Sequence, residues 1–393
     1  MISKLDLAKI IADQQQLFHK KKWIDRTVDI PIDSSRIIIV TGVRRCGKST
    51  LIKKALLGTN KALYVNFEDP RLINFTVQDF IRLEELLHEQ DKSLLIFDEV
   101  QNITQWELYA RLAHEKGLKL FVTGSNASML SRELGTRLTG RHYQVELFPF
   151  NFDEFLDFFE LARNKESFEK YFQLGGFPEY LQETNDDYLR SLLKDIITRD
   201  IAVRKNITNE TQLTRLAVYL MSNIGKELSY NKLSKTLEIK SVRTVIDYCD
   251  YFRESYLMEF IPMFSYSIKK QLGNPKKVYS IDPSFAKANS LSFSADLGRR
   301  LENFVFNKIR REHQEIFYYR SANTECDFLV KHNEKIVKAI QVCWQIDTDN
   351  MEREINGLKN AQQETGADAG LIVTADQEDT LDGIPLIPAW KWL

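Results

Sequence analysis

The sequence predicts an α/β fold: a parallel sheet with helices around it at the amino end, then helices, a helical segment ending in strands, and a smaller α/β unit. Three observations carry this. Between residues 36 and 147 five apolar runs of strand length, "RIIIVTG", "ALYVNFED", "SLLIFDEV", "LKLFVTGSN" and "YQVELFPF", alternate with longer helical patterns. Runs of this kind suit strands buried on both faces, and helices between them make the sheet parallel. The first run leads into "TGVRRCGKST", a glycine-rich turn that opens a helix. Finally, 393 residues exceed what one ordinary core accommodates, so two or three domains are expected.

Composition narrows the function classes. Lysine and arginine number 54 against 55 acidic residues, so any nucleic-acid contact must come from a local patch. An apolar content of 43% with 24 phenylalanines supports packed interiors rather than long disorder. Cys46, Cys249, Cys326 and Cys343 are far apart and form no CxxC pair, which argues against a structural zinc site or a disulfide framework. The opening "MISKLDLAKIIADQQQ" lacks the apolar core of a signal peptide, and no run reaches the roughly 18 apolar residues of a membrane span. A cytoplasmic protein without membrane partners is expected.

The elements follow in order. Residues 1–150 form the core that carries the parallel sheet. Residues 151–207 are helical and aromatic-rich, interrupted by "LGGFPEY", whose two glycines and proline demand a turn; they form a helical lid. Residues 208–290 read helix, helix, helix, strand, strand, the winged-helix pattern, with Ser229 capping the second helix and Ser241 in the first turn of the third. Residues 291–393 begin with "LGRRLENFVFNKIRRE" and continue through "EIFYYRS", "ECDFLVKHN", "KIVKAIQVCWQI", a helix near 352–365, and "AGLIVTA".

Gly42-Val43-Arg44-Arg45-Cys46-Gly47-Lys48-Ser49 matches GxxxxGK[ST] in the strand-to-helix setting that the P-loop requires. Glycines at 42 and 47 let backbone N–H groups curl around a β-phosphate, and the new helix turns its positive end toward it. Lys48 reaches the β and γ oxygens, Ser49 offers a hydroxyl to Mg²⁺, and Thr50 touches the α-phosphate. "LLIFDEV" supplies Asp98 to hold Mg²⁺ through water and Glu99 to polarise the attacking water. "LFVTGSNASML" ends a strand on Ser125 and Asn126, one of which positions that water, caps the next helix, or does both.

With these motifs together the chain resembles the AAA+ ATPases, and within them a prokaryotic group carrying a C-terminal domain of unknown function. The paired Arg44-Arg45 and the later "TGSN", "LTGR" and "GGFPEY" carry the narrower likeness, which covers nearly the whole length. The resemblance implies the AAA+ strand arrangement, ATP and Mg²⁺ as cofactors, and Lys48, Ser49, Asp98, Glu99 and Ser125 in the roles above. It also implies an arginine supplied by a neighbouring subunit from just before the fifth strand, for which "ELGTRLTGRHYQVELF" offers Arg141 first and Arg137 second. Hydrolysis then requires a homo-oligomer; an arginine acting in cis would allow a monomer to turn over. Arg44 and Arg45 are not needed to hold phosphate and are free to meet the lid, the nucleotide or a partner.

In the winged-helix reading "KSVRTVIDYCDYFRESY" is the recognition helix, with Lys240, Arg243, Lys232 and Lys235 as candidates for DNA phosphates. Asp247, Asp250 and Glu254 on the same helix oppose that, so intramolecular packing competes with DNA binding. Lys269, Lys270, Lys276 and Lys277 add a basic stretch that otherwise reads as a solvated turn. The last block resembles restriction-endonuclease-like nucleases, which place a glutamate on a helix, an aspartate on a strand and an E-x-K on the next. Here Glu302 and Asp327 fill the first two stations, but the third reads Gln341-Val342-Cys343, and Lys338 falls on the opposite face from Gln341. A nuclease-like fold with a degraded site is expected, with Trp344, Trp390 and Trp392 packing rather than stacking on bases.

The leading functional expectation is an ATP-hydrolysing switch or motor read out by the C-terminal domains. An ATP-gated, metal-dependent DNA nuclease and a non-hydrolysing ATP-binding module are the alternatives.

Overall fold

The computed structural model describes residues 2–16, 24–56, 59–125, 138, 140–292, 296–322 and 324–393. The chain divides into two compact units: residues up to Phe148 together with Glu254–Tyr256, and Pro149–Arg253 together with Leu257–Leu393. No helix among the described residues is long and apolar enough to cross a membrane.

The first unit is built on five parallel strands, β1 (Ile37–Thr41), β2 (Ala62–Asn66), β3 (Leu94–Asp98), β4 (Lys119–Gly124) and β5 (His142–Glu146), in the order β2-β3-β4-β1-β5. Every residue of β1 is buried, as a central strand covered on both faces must be. Helices α1 (Lys4–Gln16), α2 (Lys48–Ala55), α3 (Asp79–Glu89) and α4 (Trp106–Glu115) accompany the strands. Leu7, Ile10 and Ile11 of α1, Phe80 of α3 and Tyr109 of α4 share one core with Ile37, Leu63, Phe97 and Val122 of the sheet. Phe80 and Tyr109 stack with ring centroids 4.2 Å apart. Because all strands run the same way and Thr41 registers with Gly124 and Asn66 with Asp98, their carboxyl ends form one edge. That edge is where α/β sheets of this kind bind ligands.

The second unit opens with helices Phe152–Phe159, Lys165–Leu174, Tyr180–Glu183 and Asp186–Asp195, the last continuing through a π-helical turn at Ile196–Ala202. Asn151 and Glu154 close a capping box on the first. In "LGGFPEY", Gly175 ends the second helix at φ +70°, and a Cβ on Gly176 would fall 2.1 Å from the Phe150 carbonyl oxygen. Next come helices Glu210–Met221, Tyr230–Thr236 and Val242–Glu254 and a three-stranded antiparallel sheet, β6 (Glu227–Leu228), β7 (Met258–Pro262) and β8 (Lys276–Ser280), ordered β6-β8-β7. Ser229 stands at the start of its helix but makes no side-chain capping bond. Ser241 lies one position before the first turn expected for it and accepts from the Thr244 amide at 3.1 Å.

A six-stranded sheet completes the unit: β9 (Glu315–Arg320), β10 (Glu325–His332), β11 (Lys335–Cys343), β12 (Ala369–Thr374), β13 (Asp379–Leu381) and β14 (Ile384–Pro388), in the order β13-β14-β12-β11-β10-β9. β10 is antiparallel to both neighbours, whereas β11, β12 and β14 run parallel. The helix Leu297–Glu312 precedes it and Met351–Thr365 crosses between β11 and β12. The prolines of "IPLIP" obscure the strand pattern of β14, and β13 is only three residues long.

Asp282 binds distant parts of this unit together. Its buried carboxylate accepts from the Ser284 and Phe285 amides at 2.9 Å, capping Pro283–Asn289, and from the Gly176 amide at 2.7 Å. Asp282→Ala leaves three buried N–H groups unanswered, and we expect a loss of about 3 kcal/mol, read from the urea midpoint of unfolding.

Candidate functional site

The loop after β1 adopts a conformation that its glycines make available. Gly42 has φ +154° and a Cβ there would lie 2.0 Å from the Leu147 carbonyl oxygen; Gly47 has φ +100° and begins α2 without a side-chain acceptor. Lys48 is 4% exposed, and its Nζ donates to the carbonyls of Gly42 at 3.2 Å and Val43 at 3.1 Å, 3.7 Å from Glu99 Oε1. Ser49 and Thr50 follow on the first turn of α2, both half-buried.

Asp98, at the end of β3, collects the neighbouring elements. Ser49 Oγ donates to its Oδ1 at 2.9 Å, Thr123 Oγ1 of β4 donates to the same oxygen, and Tyr64 of β2 donates to Oδ2 at 2.5 Å. Burial first, then the Asp98 charge, push the Tyr64 phenol far up, so it serves as a neutral donor. The paired oxygens of Ser49 and Asp98, one neutral and one anionic, are a donor set that suits a hydrated Mg²⁺ ion.

Glu99 follows in the left-handed region at φ +51°, its amide donating to Thr123 Oγ1 at 3.0 Å. A non-glycine residue held there is backbone strain of the kind that gathers at functional sites. Gln101 Nε2 donates both to Glu99 Oε2 and, at 3.2 Å, to the buried Ser125 Oγ. Ser125 is thus tied to Glu99 through a residue that motif reasoning passed over; its position two places after the acidic pair was the one available signal. Asn126 and Arg137 lie outside the described residues.

Arg26 was also missed. Its guanidinium donates to the carbonyls of Cys46 at 2.9 Å and Phe148 at 2.6 Å, clasping the phosphate loop from outside. Arg44 is buried and paired with Glu68 at 2.7 Å, whereas Arg45 is exposed with φ +67°. Cys46 is buried, its Sγ donating to the Leu147 carbonyl, and burial pushes its thiol pKa up. Arg141 immediately precedes β5 at the amino end of the sheet, 3.8 Å from Glu115. In the parallel register Ile37 pairs with His142 and Thr41 with Glu146, so a strand's length of roughly 15 Å separates Arg141 from the phosphate-loop edge of its own chain.

The second unit holds a separate polar cluster. Glu302, on Leu297–Glu312, and Asp327, on β10, meet around Lys277 of β8, whose Nζ lies 3.2 Å from Glu302 Oε1, 2.9 Å from Asp327 Oδ1 and 2.7 Å from Glu325 Oε1. Lys277 is 3% exposed, which corrects the expectation of a solvated basic turn; Lys269 and Lys270 are exposed as expected. Burial works against its ammonium, yet the Glu302 and Asp327 carboxylates hold its pKa well above a lysine's ordinary value. Burial and then Asp327 push the Glu302 carboxyl up to about 7. Gln341 does not turn its carbonyl into the cluster: Oε1 accepts from the Asp327 amide at 3.2 Å and Nε2 donates to Glu354. Lys338 is exposed, consistent with the opposite face.

The fold and loop geometry of the first unit define a P-loop domain of AAA type, and residues 34–156 match the family model described as an AAA domain. Residues 165–296 and 297–392 match two domains of unknown function, DUF8612 and DUF4143. The chain is 31% identical to the uncharacterized protein MJ1544 of Methanocaldococcus jannaschii over 99% of this chain and 95% of that one. It is 26% identical to an uncharacterized protein of Haemophilus influenzae over 92% of this chain and 95% of that one. The chain belongs to this family of AAA-type P-loop proteins with C-terminal domains of unknown function.

The Arg26 clasp has a measurable consequence. Arg26→Ala removes charged donors from two loop carbonyls, and we expect the first unit to lose about 2 kcal/mol, read from hydrogen exchange of the β1 amides.

Proposed function

We propose that this protein is an ATP-hydrolysing AAA+ switch whose nucleotide state is relayed to the C-terminal domains. The observation that carries this reading is the meeting of Ser49, Asp98 and Glu99 beside Lys48 at one edge of the sheet. On binding ATP, Lys48 exchanges the Gly42 and Val43 carbonyls for the β and γ oxygens, the loop amides from Val43 to Gly47 face the β-phosphate, and Thr50 meets the α-phosphate. Ser49 and Asp98 would hold Mg²⁺, which supplies positive charge to the phosphate oxygens when bound.

Glu99 accepts a proton as the water oxygen bonds to the γ-phosphorus; the bond to the β–γ bridging oxygen breaks, leaving ADP and phosphate. Gln101 and Ser125 orient Glu99 and that water. Arg141, remote from its own loop, acts on a neighbouring copy and so makes hydrolysis depend on assembly. Arg44, held by Glu68, is a structural member of the loop, and Arg45 is the exposed one.

In the second unit, helix, short strand, two helices and two antiparallel strands support the winged-helix reading, and Leu297–Glu312 followed by β9 to β12 supports the restriction-endonuclease-like one. Val245, Tyr248, Cys249 and Phe252 bury one face of the recognition helix; exposed Arg243 pairs with Asp247 at 2.9 Å, and Lys232, Lys235 and Lys240 are exposed. The buried face and the Arg243–Asp247 pair favour packing, while the three exposed lysines are the groups that DNA contact would use. The meeting of Glu302 and Asp327 is what an active nuclease would need, but Gln341 and Cys343 stand where its third carboxylate and its lysine belong.

Glu99→Gln should keep ATP binding and lower single-turnover hydrolysis about 100-fold or more; unchanged hydrolysis would leave the non-hydrolysing alternative. Turnover per protomer should rise with protein concentration, and the rise should vanish in Arg141→Ala; concentration-independent turnover would exclude a finger in trans.

A further inference from the structure

We propose that Lys277 is a resident cation that takes the place of a divalent metal in the carboxylate cluster of the second unit, leaving the cluster closed to metal. The resemblance to metal-dependent nucleases makes Glu302 and Asp327 look like metal ligands, but their surroundings do not suit an ion. The ammonium group has three N–H donors, and three carboxylate oxygens stand within 3.2 Å of it: Glu325 Oε1, Asp327 Oδ1 and Glu302 Oε1.

A Mg²⁺ ion bound to the same Glu302 and Asp327 oxygens at roughly 2.1 Å would press against Nζ, and two like charges at that separation repel strongly at a buried site. Glu302 Oε1 accepts from Tyr279 OH at 2.5 Å as well as facing Lys277, and the second Asp327 oxygen, Oδ2, accepts from the Val342 amide at 3.0 Å. The Gln341 carbonyl oxygen, the third ligand the pattern offers, is taken by the Asp327 amide. Among the described residues no group of three or more histidine, cysteine, aspartate or glutamate side chains is arranged to hold a metal.

The lysine does not occupy the station where a nuclease carries one. That position is Cys343 on β11, while Lys277 arrives from β8 of the three-stranded sheet, twenty residues before the helix that bears Glu302. One side chain therefore supplies the positive charge the carboxylates need and joins β8 to the six-stranded sheet. A cavity of about 670 Å³ opens over the cluster, lined in part by Arg299, Arg320, Trp344 and Arg353, so the arginines of its wall add to Lys277 in opposing a metal ion.

The test is Mn²⁺ binding to the full-length protein, followed by electron paramagnetic resonance. Wild type should show no Mn²⁺ site that Asp327→Asn removes. Lys277→Met, which keeps length but loses charge, should gain one site, at least about tenfold tighter than any site of wild type and absent from the Lys277→Met/Asp327→Asn double variant. Sites in the first unit are common to all four proteins and cancel. A wild-type Mn²⁺ site abolished by Asp327→Asn overturns the proposal, and so does a folded Lys277→Met that gains none. Should Lys277→Met fail to fold, the wild-type and Asp327→Asn comparison decides alone.

Discussion

The carboxylate of Asp98 is the constraint on which the first unit's site depends. Four elements end beside it, and three of them send it a hydroxyl: Ser49 from α2, Tyr64 from β2 and Thr123 from β4. These three bonds tie β2, β3, β4 and the start of α2 to one carboxylate. Thr123 carries this one step further by accepting the Glu99 amide, which holds the strained left-handed turn that aims Glu99. The groups proposed to bind and those proposed to catalyse therefore share one hydrogen-bond network, which Gln101 extends to Ser125.

The second unit solves a different electrostatic problem. Burying Glu302 and Asp327 so close together is costly unless a positive charge accompanies them. Lys277 answers that cost from another sheet, and in doing so makes a polar cluster into an internal fastening. Asp282 plays a comparable part with backbone amides, joining the "LGGFPEY" turn to the helix after β8. Both devices use groups remote in sequence to lock layers whose apolar packing alone leaves their relative positions less defined.

What was legible in the sequence was what is local. Continuous apolar runs announced β1 to β5, and Gly42, Gly47, Lys48, Ser49, Asp98 and Glu99 announced a site because motif spacing encodes strand-end geometry directly. Strands β7 to β12 were readable for the same reason. The residues that went unseen act across long separations: Arg26 reaches Cys46 and Phe148, Tyr64 reaches Asp98, and Lys277 reaches residues 25 and 50 positions away. Nothing in "NPKKVYS" distinguishes a lysine bound for a buried cluster from one in a solvated turn, since strand alternation shows which face Lys277 takes but not what waits there.

In the proposed function Asp98 joins the metal and the nucleotide in one site. The most direct measurement is the affinity of a fluorescent ATP analogue with excess Mg²⁺ and with EDTA, for wild type and Asp98→Asn. Tighter binding with Mg²⁺ in wild type, and loss of that difference in Asp98→Asn with metal-free binding retained, is the predicted result. A wild-type affinity indifferent to Mg²⁺, or an Asp98→Asn variant that keeps the full Mg²⁺ effect, would contradict it.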